Sequence, residues 1–435
     1  MSVCCLLDRP SPDSSMSPSV EELRARIVDL DSEIDLQKKL LKKLEKDRSL
    51  AQRHLNAVLD PMSRLPPEIS SEIFLQSLPA SPSGMQGALT ALLKVCSAWT
   101  DIALATPVLW TTVHIDFPCD DALAEVLPIW FGRARHRPLT IFISLRGRCF
   151  NWNHRVSDVL WRHGGQVKHL EIFDDDDFAT RDEDDQTIDL FGENTPVSLP
   201  LLETLMIRCQ HQHRNYLAPQ ILELVRRAPN IVESTFNMAT VNAFNDGDPK
   251  MVEVPTLRRV MFEDIGHDDI LQYLSLPALE TLSVPLSTIM DGDFLAFLER
   301  SGASLRDLTL GSSFRDMDSL DLYEYLRSVP KLTKFTMWLP GSDVVTELFA
   351  AFADYSLLPS LDDLTIYLNH EGNLHISDSS WRTLVRVLSS RGMEQLYITP
   401  ILVSLPMDVL DSLRELTIDG ANIWIGTEER NFVGA

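Results

Sequence analysis

The side chains in this chain that could bind metal or move protons fall into a few local groupings. Asp174–Asp177 with Asp182, Glu183, Asp184 and Asp185 concentrates carboxylates within one short stretch. A calcium loop would need the EF-hand register and its turn glycine, and both are missing, so the stretch reads as a solvated insertion between two structural units. His211-x-His213 offers two imidazoles but no zinc-type ligand set, and reads as a surface loop. His169-x-Glu171 matches the start of a deaminase motif whose Pro-Cys-x-x-Cys half is absent. There is no His-Glu-x-x-His, no Gly-x-Ser-x-Gly and no phosphate-cradling glycine loop, and glycine is scarce, with 18 residues in 435. The six cysteines, at 4, 5, 96, 119, 149 and 209, form no Cys-x-x-Cys pair. The expectation is a protein that is not an enzyme, with no catalytic, cofactor-binding or metal-binding residues and no cofactor.

Bulk composition narrows the partners. The formal charge is 39 − 63 = −24, with 44% hydrophobic and 23% charged residues. That is an ordinary globular composition without the cationic footprint that nucleic acid or an acidic membrane surface demands. No apolar run approaches the length of a membrane span, and the N-terminus lacks the basic and apolar regions of a signal peptide. Few, scattered cysteines and no Asn-x-Ser/Thr sequon point to a reducing compartment, cytoplasmic or nuclear. Cys4-Cys5 is read as part of a tail and not as a lipidation site. At 435 residues, two or three modules are expected.

The elements that would position a functional surface come in order along the chain. Residues 1–18 carry Pro10, Pro12, Pro18 and several serines and read as a disordered tail. Ser19 with Glu22 is a capping box that starts a helix over 19–60, ended by Pro61. Its seam is Leu23, Ile27, Leu30, Ile34, Gln37, Leu41, Leu44, Arg48, Ala51, Leu55 and Val58, alternating four- and three-residue steps as a coiled coil does. The first half is mainly acidic and the second mainly basic, which suits the helix dipole and an antiparallel partner of the same sequence. The polar seam residues Gln37 and Arg48 leave an unpaired or intramolecular helix open as well.

Residues 61–115 follow. Pro67 suits the first turn of a helix whose stripe is Ile69, Ile73 and Phe74. Pro79–Gly87 reads as a loop, and a second helix is expected to carry Leu89, Leu92, Leu93, Cys96 and Trp99. The order Leu65-Pro66-Pro67-Glu68-Ile69, Ile73-Phe74, Val95-Cys96, Trp99 and Thr106-Pro107-Val108-Leu109-Trp110 resembles an F-box. Together with the preceding helix it is similar to a group of fungal F-box-like proteins. Two departures are Ser97-Ala98, where the family often has basic residues, and the inserted 79–87 segment. The resemblance implies docking onto the adaptor subunit of an SCF-type ubiquitin ligase, and hence onto its cullin complex. It implies that Leu65, Pro66, Pro67, Glu68, Ile69, Ile73, Phe74, Val95, Cys96 and Trp99 make the contact. Trp99 itself is expected to pack inside the helical unit.

After a connecting or first-repeat region, 116–166, an apolar-x-x-apolar-x-apolar unit recurs over 167–435. Examples are Leu202/Leu205/Ile207, Leu305/Leu308/Leu310, Leu361/Leu364/Ile366 and Leu413/Leu416/Ile418, with a weaker copy at Ile231/Ser234/Phe236. Period-two alternation marks a strand, and stripes such as Val344/Val345/Leu348/Phe349/Phe352 mark helices between the strands. The expected fold class is therefore α/β: an N-terminal coiled-coil helix, a small all-α F-box-like unit, then strand–helix units resembling an irregular leucine-rich-repeat solenoid without its usual Asn or Cys. A different globular α/β sheet is the alternative. The fifth position of each unit should point away from the core. That row reads Met206, Met261, Ser283, Thr309, Thr336, Thr365, Tyr397 and Thr417, and within it Ser283, Thr309, Thr336, Thr365 and Tyr397 are candidates for holding a protein target. The expected function is a substrate-recognition subunit of an SCF-type ligase, with a non-ligase interaction scaffold carrying a degenerate F-box as the alternative.

Overall fold

The computed structural model describes residues 19–79, 82–147, 151–174, 187–192, 198–209, 214–237, 239–242, 250–263, 269–285, 293–311, 319–368, 376–403 and 405–434. The 1–18 tail, Cys4, Cys5, Cys149, His211, His213 and the acidic stretch beyond Asp174 lie outside them. The chain divides into two compact units. One is drawn from residues up to Gln76 together with Leu89–Ala105, the other from Ser77–Ala88 and Thr106 onward.

In the first unit, helix α1 spans Val20–Leu59. Its capping box forms as the sequence predicts: the Ser19 N–H donates to Glu22 Oε2 at 2.8 Å and the Glu22 N–H to Ser19 Oγ at 3.2 Å. Asp60 caps a one-turn 3-10 helix, Pro61–Arg64, by accepting from the Met62 N–H at 2.9 Å. Helix α2 runs Pro67–Ser77, α3 Pro82–Val95 and α4 Ser97–Ala105. Two expectations change here. Most of the 79–87 segment is helical, because Pro82 fits a first helical turn and Leu89 and Leu92 give the helix a buried stripe. The single helix expected through Trp99 is two, broken at Cys96.

The second unit is built on a twelve-stranded sheet whose strands are β1 Thr112–Phe117, β2 Leu139–Leu145, β3 Val167–Asp174, β4 Thr204–Cys209, β5 Glu233–Asn237 and β6 Arg259–Glu263, followed by β7 Thr281–Pro285, β8 Asp307–Gly311, β9 Lys334–Trp338, β10 Asp363–Tyr367, β11 Gln395–Thr399 and β12 Asn422–Ile425. Every strand pairs in parallel with the next one along the chain, so sheet order is sequence order. The sheet thus starts at Thr112, well before the repeats at 167, and takes in most of the segment expected to be a connector. Thr106–Trp110 belongs to this unit too. Trp110 is fully buried edge-on against Trp130, with ring centroids 4.8 Å apart, and Trp130 Nε1 donates to the Trp110 carbonyl at 3.0 Å. The F-box-like match is therefore split between the two units.

Parallel strands that advance one step at a time, each through a right-handed crossover, put all connections on one face. Helices α5 Leu123–Ala134, α6 His154–Arg162, α7 Ala218–Arg226, α8 Asp293–Ser301, α9 Ser319–Ser328, α10 Ser342–Ala351, α11 Asp378–Arg391 and α12 Met407–Ile418 supply that layer. Two short parallel ladders supplement it, Thr187–Ile188 with Arg214–Leu217 and Ala239–Asn242, and Val252–Glu253 with Leu274–Ser275.

The core is what the repeat pattern predicts. Fourth- and sixth-position residues are buried in every unit through β11, including Leu170/Ile172, Leu205/Ile207, Val260/Phe262, Leu282/Val284, Leu308/Leu310, Phe335/Met337, Leu364/Ile366 and Leu396/Ile398. The weak copy conforms as well, with Ser234 and Phe236 both buried. Each such apolar side chain contributes about 1.5–3 kcal/mol by leaving water. Between β9 and β11, Arg391 donates to the carbonyls of Phe352 at 3.0 Å and Leu357 at 2.7 Å, tying down the turn after α10. Gly392 then ends α11 in the left-handed region at φ 66°, a conformation glycine adopts without a Cβ clash.

The last predicted unit departs from this scheme. Leu413, Leu416 and Ile418 lie in α12, not in a strand. In that helix Leu413 is buried, Leu416 is half-buried and Ile418 is 84% exposed, and Asn422–Ile425 closes the sheet in their place. Thr417 therefore does not belong to the fifth-position row.

Candidate functional site

In the first unit, the predicted docking residues divide by burial. Phe74 and Cys96 are buried, and Trp99 and Val95 are half-buried. Phe74 and Trp99 meet at 5.0 Å between ring centroids. Trp99 Nε1 donates to Asp60 Oδ2, and Cys96 Sγ lies 3.7 Å from the same oxygen. Asp60 therefore links the cap of the 3-10 turn to α4. Its signal in the sequence is an Asp placed directly before Pro61 at the end of a long helix. Leu65, Pro66, Pro67, Glu68, Ile69 and Ile73 form the exposed remainder. Leu65 is extended (φ −81°, ψ 151°), and Ile69 and Ile73 are one helical turn apart on one face of α2. The core residues thus hold a rigid frame, and three large apolar side chains stand on it in solvent: Leu65, Ile69 and Ile73, 39%, 51% and 42% exposed.

In the second unit the face opposite the helices carries an unbroken cross-strand row. It reads His114, Phe142, Glu171, Met206, Thr235, Met261, Ser283, Thr309, Thr336, Thr365, Tyr397 and Trp424, each in register with the next. The predicted Ser283, Thr309, Thr336, Thr365 and Tyr397 do align. Ser283, Thr309, Thr365 and Tyr397 are half-buried, but Thr336 is buried and offers little to a partner. Thr417 is replaced by Trp424. One step along the strands, Trp338 stacks on Tyr367 at 3.9 Å, Tyr367 meets Tyr397 at 5.6 Å, and Tyr397 stacks on Trp424 at 6.2 Å. A diagonal of four aromatic rings thus crosses β9–β12, with Trp338 43% exposed. The repeat pattern hid it, because Trp338 and Tyr367 fall at the seventh position, beyond the last apolar residue of the unit.

The first strands of the same face are charged instead. Glu171 lies 3.6 Å from His169 Nε2 and pairs with Arg208. The His169 hydrogen bond, with help from Arg208, holds the Glu171 carboxyl below its ordinary range against the opposing effect of burial. A depressed folded-state pKa stabilises the fold at neutral pH, and that stability is lost as pH falls below the ordinary glutamate range. Glu171→Gln should accordingly lower the melting temperature at pH 7 and do so less at pH 3. Thermal melts of both proteins across that interval check it, and equal shifts at the two pH values reject it.

A second cluster on these strands looks like hydrolytic machinery. His114 Nε2 is 2.8 Å from Ser144 Oγ, and His114 Nδ1 is 3.4 Å from Asp116 Oδ2. Acyl transfer also needs backbone N–H donors aimed at a developing oxyanion. Ser144 is the penultimate residue of β2 and still inside the β1–β2–β3 ladder, where backbone N–H groups are committed to sheet bonds, and both His114 and Ser144 are buried. The trio satisfies buried polar atoms and presents no nucleophile to a substrate.

Among the described residues no group of His, Cys, Asp and Glu could hold a metal ion, and no helix is long and apolar enough to cross a membrane. No protein-family model and no curated protein matches the chain.

Proposed function

We propose that the chain is the substrate-recognition subunit of an SCF-type ubiquitin ligase, working in the cytoplasm or nucleus and doing no chemistry itself. The adaptor docks on Leu65, Pro66, Ile69 and Ile73. The parallel sheet is an irregular leucine-rich-repeat solenoid whose uncovered face holds a protein target near the ligase's catalytic arm. The observation that carries this reading is the division of labour in the first unit. Phe74, Cys96 and Trp99 are used internally, while the three large apolar side chains of the F-box-like motif are left in water. Clustered exposed apolar residues on a rigid frame mark a partner site.

Affinity purification of the full chain, followed by mass spectrometry, is the direct test. The adaptor and a cullin should co-purify. If other proteins come through without an adaptor, the chain is an interaction scaffold with a degenerate F-box.

The target is best sought at the aromatic diagonal. Tyr and Trp lose little rotamer entropy on binding and dominate interface hot spots. Trp338→Ala with Tyr367→Ala should reduce recovery of a co-purifying target roughly tenfold or more, with adaptor recovery and the melting curve unchanged. Undiminished target recovery would move the site to the charged strands around Glu171 and Arg208.

A further inference from the structure

We propose that α1 pairs with the α1 of a second copy in a parallel, in-register coiled coil, which sets two F-box-like units at one end of the rod. The pairing itself does not depend on the ligase reading. Only its consequence, two adaptors held side by side, does.

The seam is open along its whole length. Leu23, Ile27, Leu30, Ile34, Leu41, Leu44, Leu55 and Val58 are all exposed. The helix is 40 residues long, about 60 Å at 1.5 Å per residue. A strip of that length and ~10 Å width on each partner removes about 1,200 Å² from water, the lower bound of a stable interface.

Orientation follows from the residues that flank the seam. Placing Ile27, Ile34, Leu41, Arg48 and Leu55 at one core position and Leu23, Leu30, Gln37, Leu44, Ala51 and Val58 at the other fixes them. The flanking sets are Arg24, Asp31, Lys38, Glu45 and Gln52 on one side, and Arg26, Glu33, Leu40, Asp47 and His54 on the other. In a parallel pair Arg26 meets the second copy's Asp31 and Glu33 meets its Lys38, twice each by symmetry. No like-charged flanking pair arises. The antiparallel register that overlaps the whole helix, Leu23 against Leu55, brings Glu33 opposite Asp47, Asp31 opposite Glu45 and Lys38 opposite Lys38. The gross acidic-to-basic polarity favours that antiparallel arrangement, but much of it comes from Lys39, Lys42, Lys43 and Lys46. These lie outside the seam and its flanks, on the far side of the helix from a partner. At physiological salt, charges more than ~8 Å apart in solvent are largely screened, so the close flanking pairs decide.

Of the polar seam residues, Gln37 fits the same answer. In register, Gln37 meets Gln37, where the two amides can bond each other. Arg48 meets Arg48 at a core position, a like-charged pair that costs stability and is eased where the long side chains extend their charged heads to water. In the antiparallel register each of these polar groups would face Leu41 or Leu30.

The test uses the full chain with Cys4→Ser and Cys5→Ser, so that introduced thiols near the helix are read alone. Light scattering at micromolar concentration should give a dimer mass that is lost when residues 19–59 are deleted. Leu30→Cys should cross-link to itself under mild oxidation. Glu33→Lys and Lys38→Glu should each weaken the dimer roughly tenfold, and the two together should restore it, because the swap recreates the pairs. A monomer across the range, a dimer that survives the deletion, or cross-linking only between Leu23→Cys and Leu55→Cys chains overturns the proposal.

Discussion

Replacing Leu65 and Pro66 together by alanine is expected to cut adaptor capture by the full chain at least a hundredfold. Two interface anchors of ~2 kcal/mol each would supply close to a thousandfold if additive, so a hundredfold is the floor. Both residues are exposed in the extended segment between the 3-10 turn and α2, and neither contributes to the Phe74–Trp99 core. The loss should therefore come with an unchanged melting curve. Ile73→Asp, also on the exposed side of α2, should produce the same loss by placing a carboxylate in the contact. Phe74→Ala would be uninformative, since it also removes a fully buried ring. Adaptor recovery undiminished in both the double variant and Ile73→Asp would end the docking assignment while leaving the sheet's role as a binding surface standing.

Legibility from sequence tracked the period of the apolar residues. The capping box at Ser19 and the seam of α1 were visible because local hydrogen bonding and a seven-residue step need no tertiary information. The strands were visible wherever two buried positions flank one outward residue, down to the weak copy at Ser234. The same six-residue signature failed at Leu413, Leu416 and Ile418. Positions one and four share a helix face but position six does not, which leaves Ile418 84% exposed, and only the neighbouring β12 shows which reading wins. The helix break at Cys96 was hidden for a related reason, since Cys96 and Trp99 keep helical spacing across a change of axis.

The candidate sites were legible to different degrees. The ten residues of the F-box-like resemblance could be named from their order in the sequence, but their division into core and surface could not, because adjacent residues such as Ile73 and Phe74 take opposite fates on α2. The outward row follows from pleat alternation alone, and the eleven pairings of the twelve strands carry it in register from His114 to Trp424. Its aromatic end escaped notice because Trp338 and Tyr367 lie past the repeat's last core residue, where no core constraint marks a position. Glu171 and Arg208 of the charged end lie in repeats that the sequence shows, but a pair across two strands leaves no period to read; the rest escaped because β1 and β2 precede the detectable repeats. Their residues entered the sheet through strand pairing that the sequence pattern did not announce.

Trp99→Ala should open the helical unit locally. Its side chain is half-buried, but it meets Phe74 at 5.0 Å and its indole N–H is bonded to the Asp60 carboxylate. Losing the ring leaves a void beside Phe74 and withdraws a hydrogen bond from a charged acceptor that also caps the turn before α2. Together these should cost about 3 kcal/mol. Trp99→Phe keeps the ring contact and loses only the hydrogen bond, so it should cost about 1–2 kcal/mol. Asp60→Asn keeps one acceptor oxygen where the Met62 N–H and the indole use two, and turns an amide NH2 toward the other donor, so it should cost about as much as Trp99→Phe, about 1–2 kcal/mol. Native-state amide exchange in the full chain reads these differences directly, because opening of α2 and α4 can occur without unfolding the sheet. Protection in α2 and α4 should fall most in Trp99→Ala and less, by similar amounts, in Trp99→Phe and Asp60→Asn, with β8–β11 unaffected. A loss below about 1 kcal/mol in Trp99→Ala would mean that Phe74 and the cap hold the unit without the indole, and that Trp99 is free to serve as part of the docking surface.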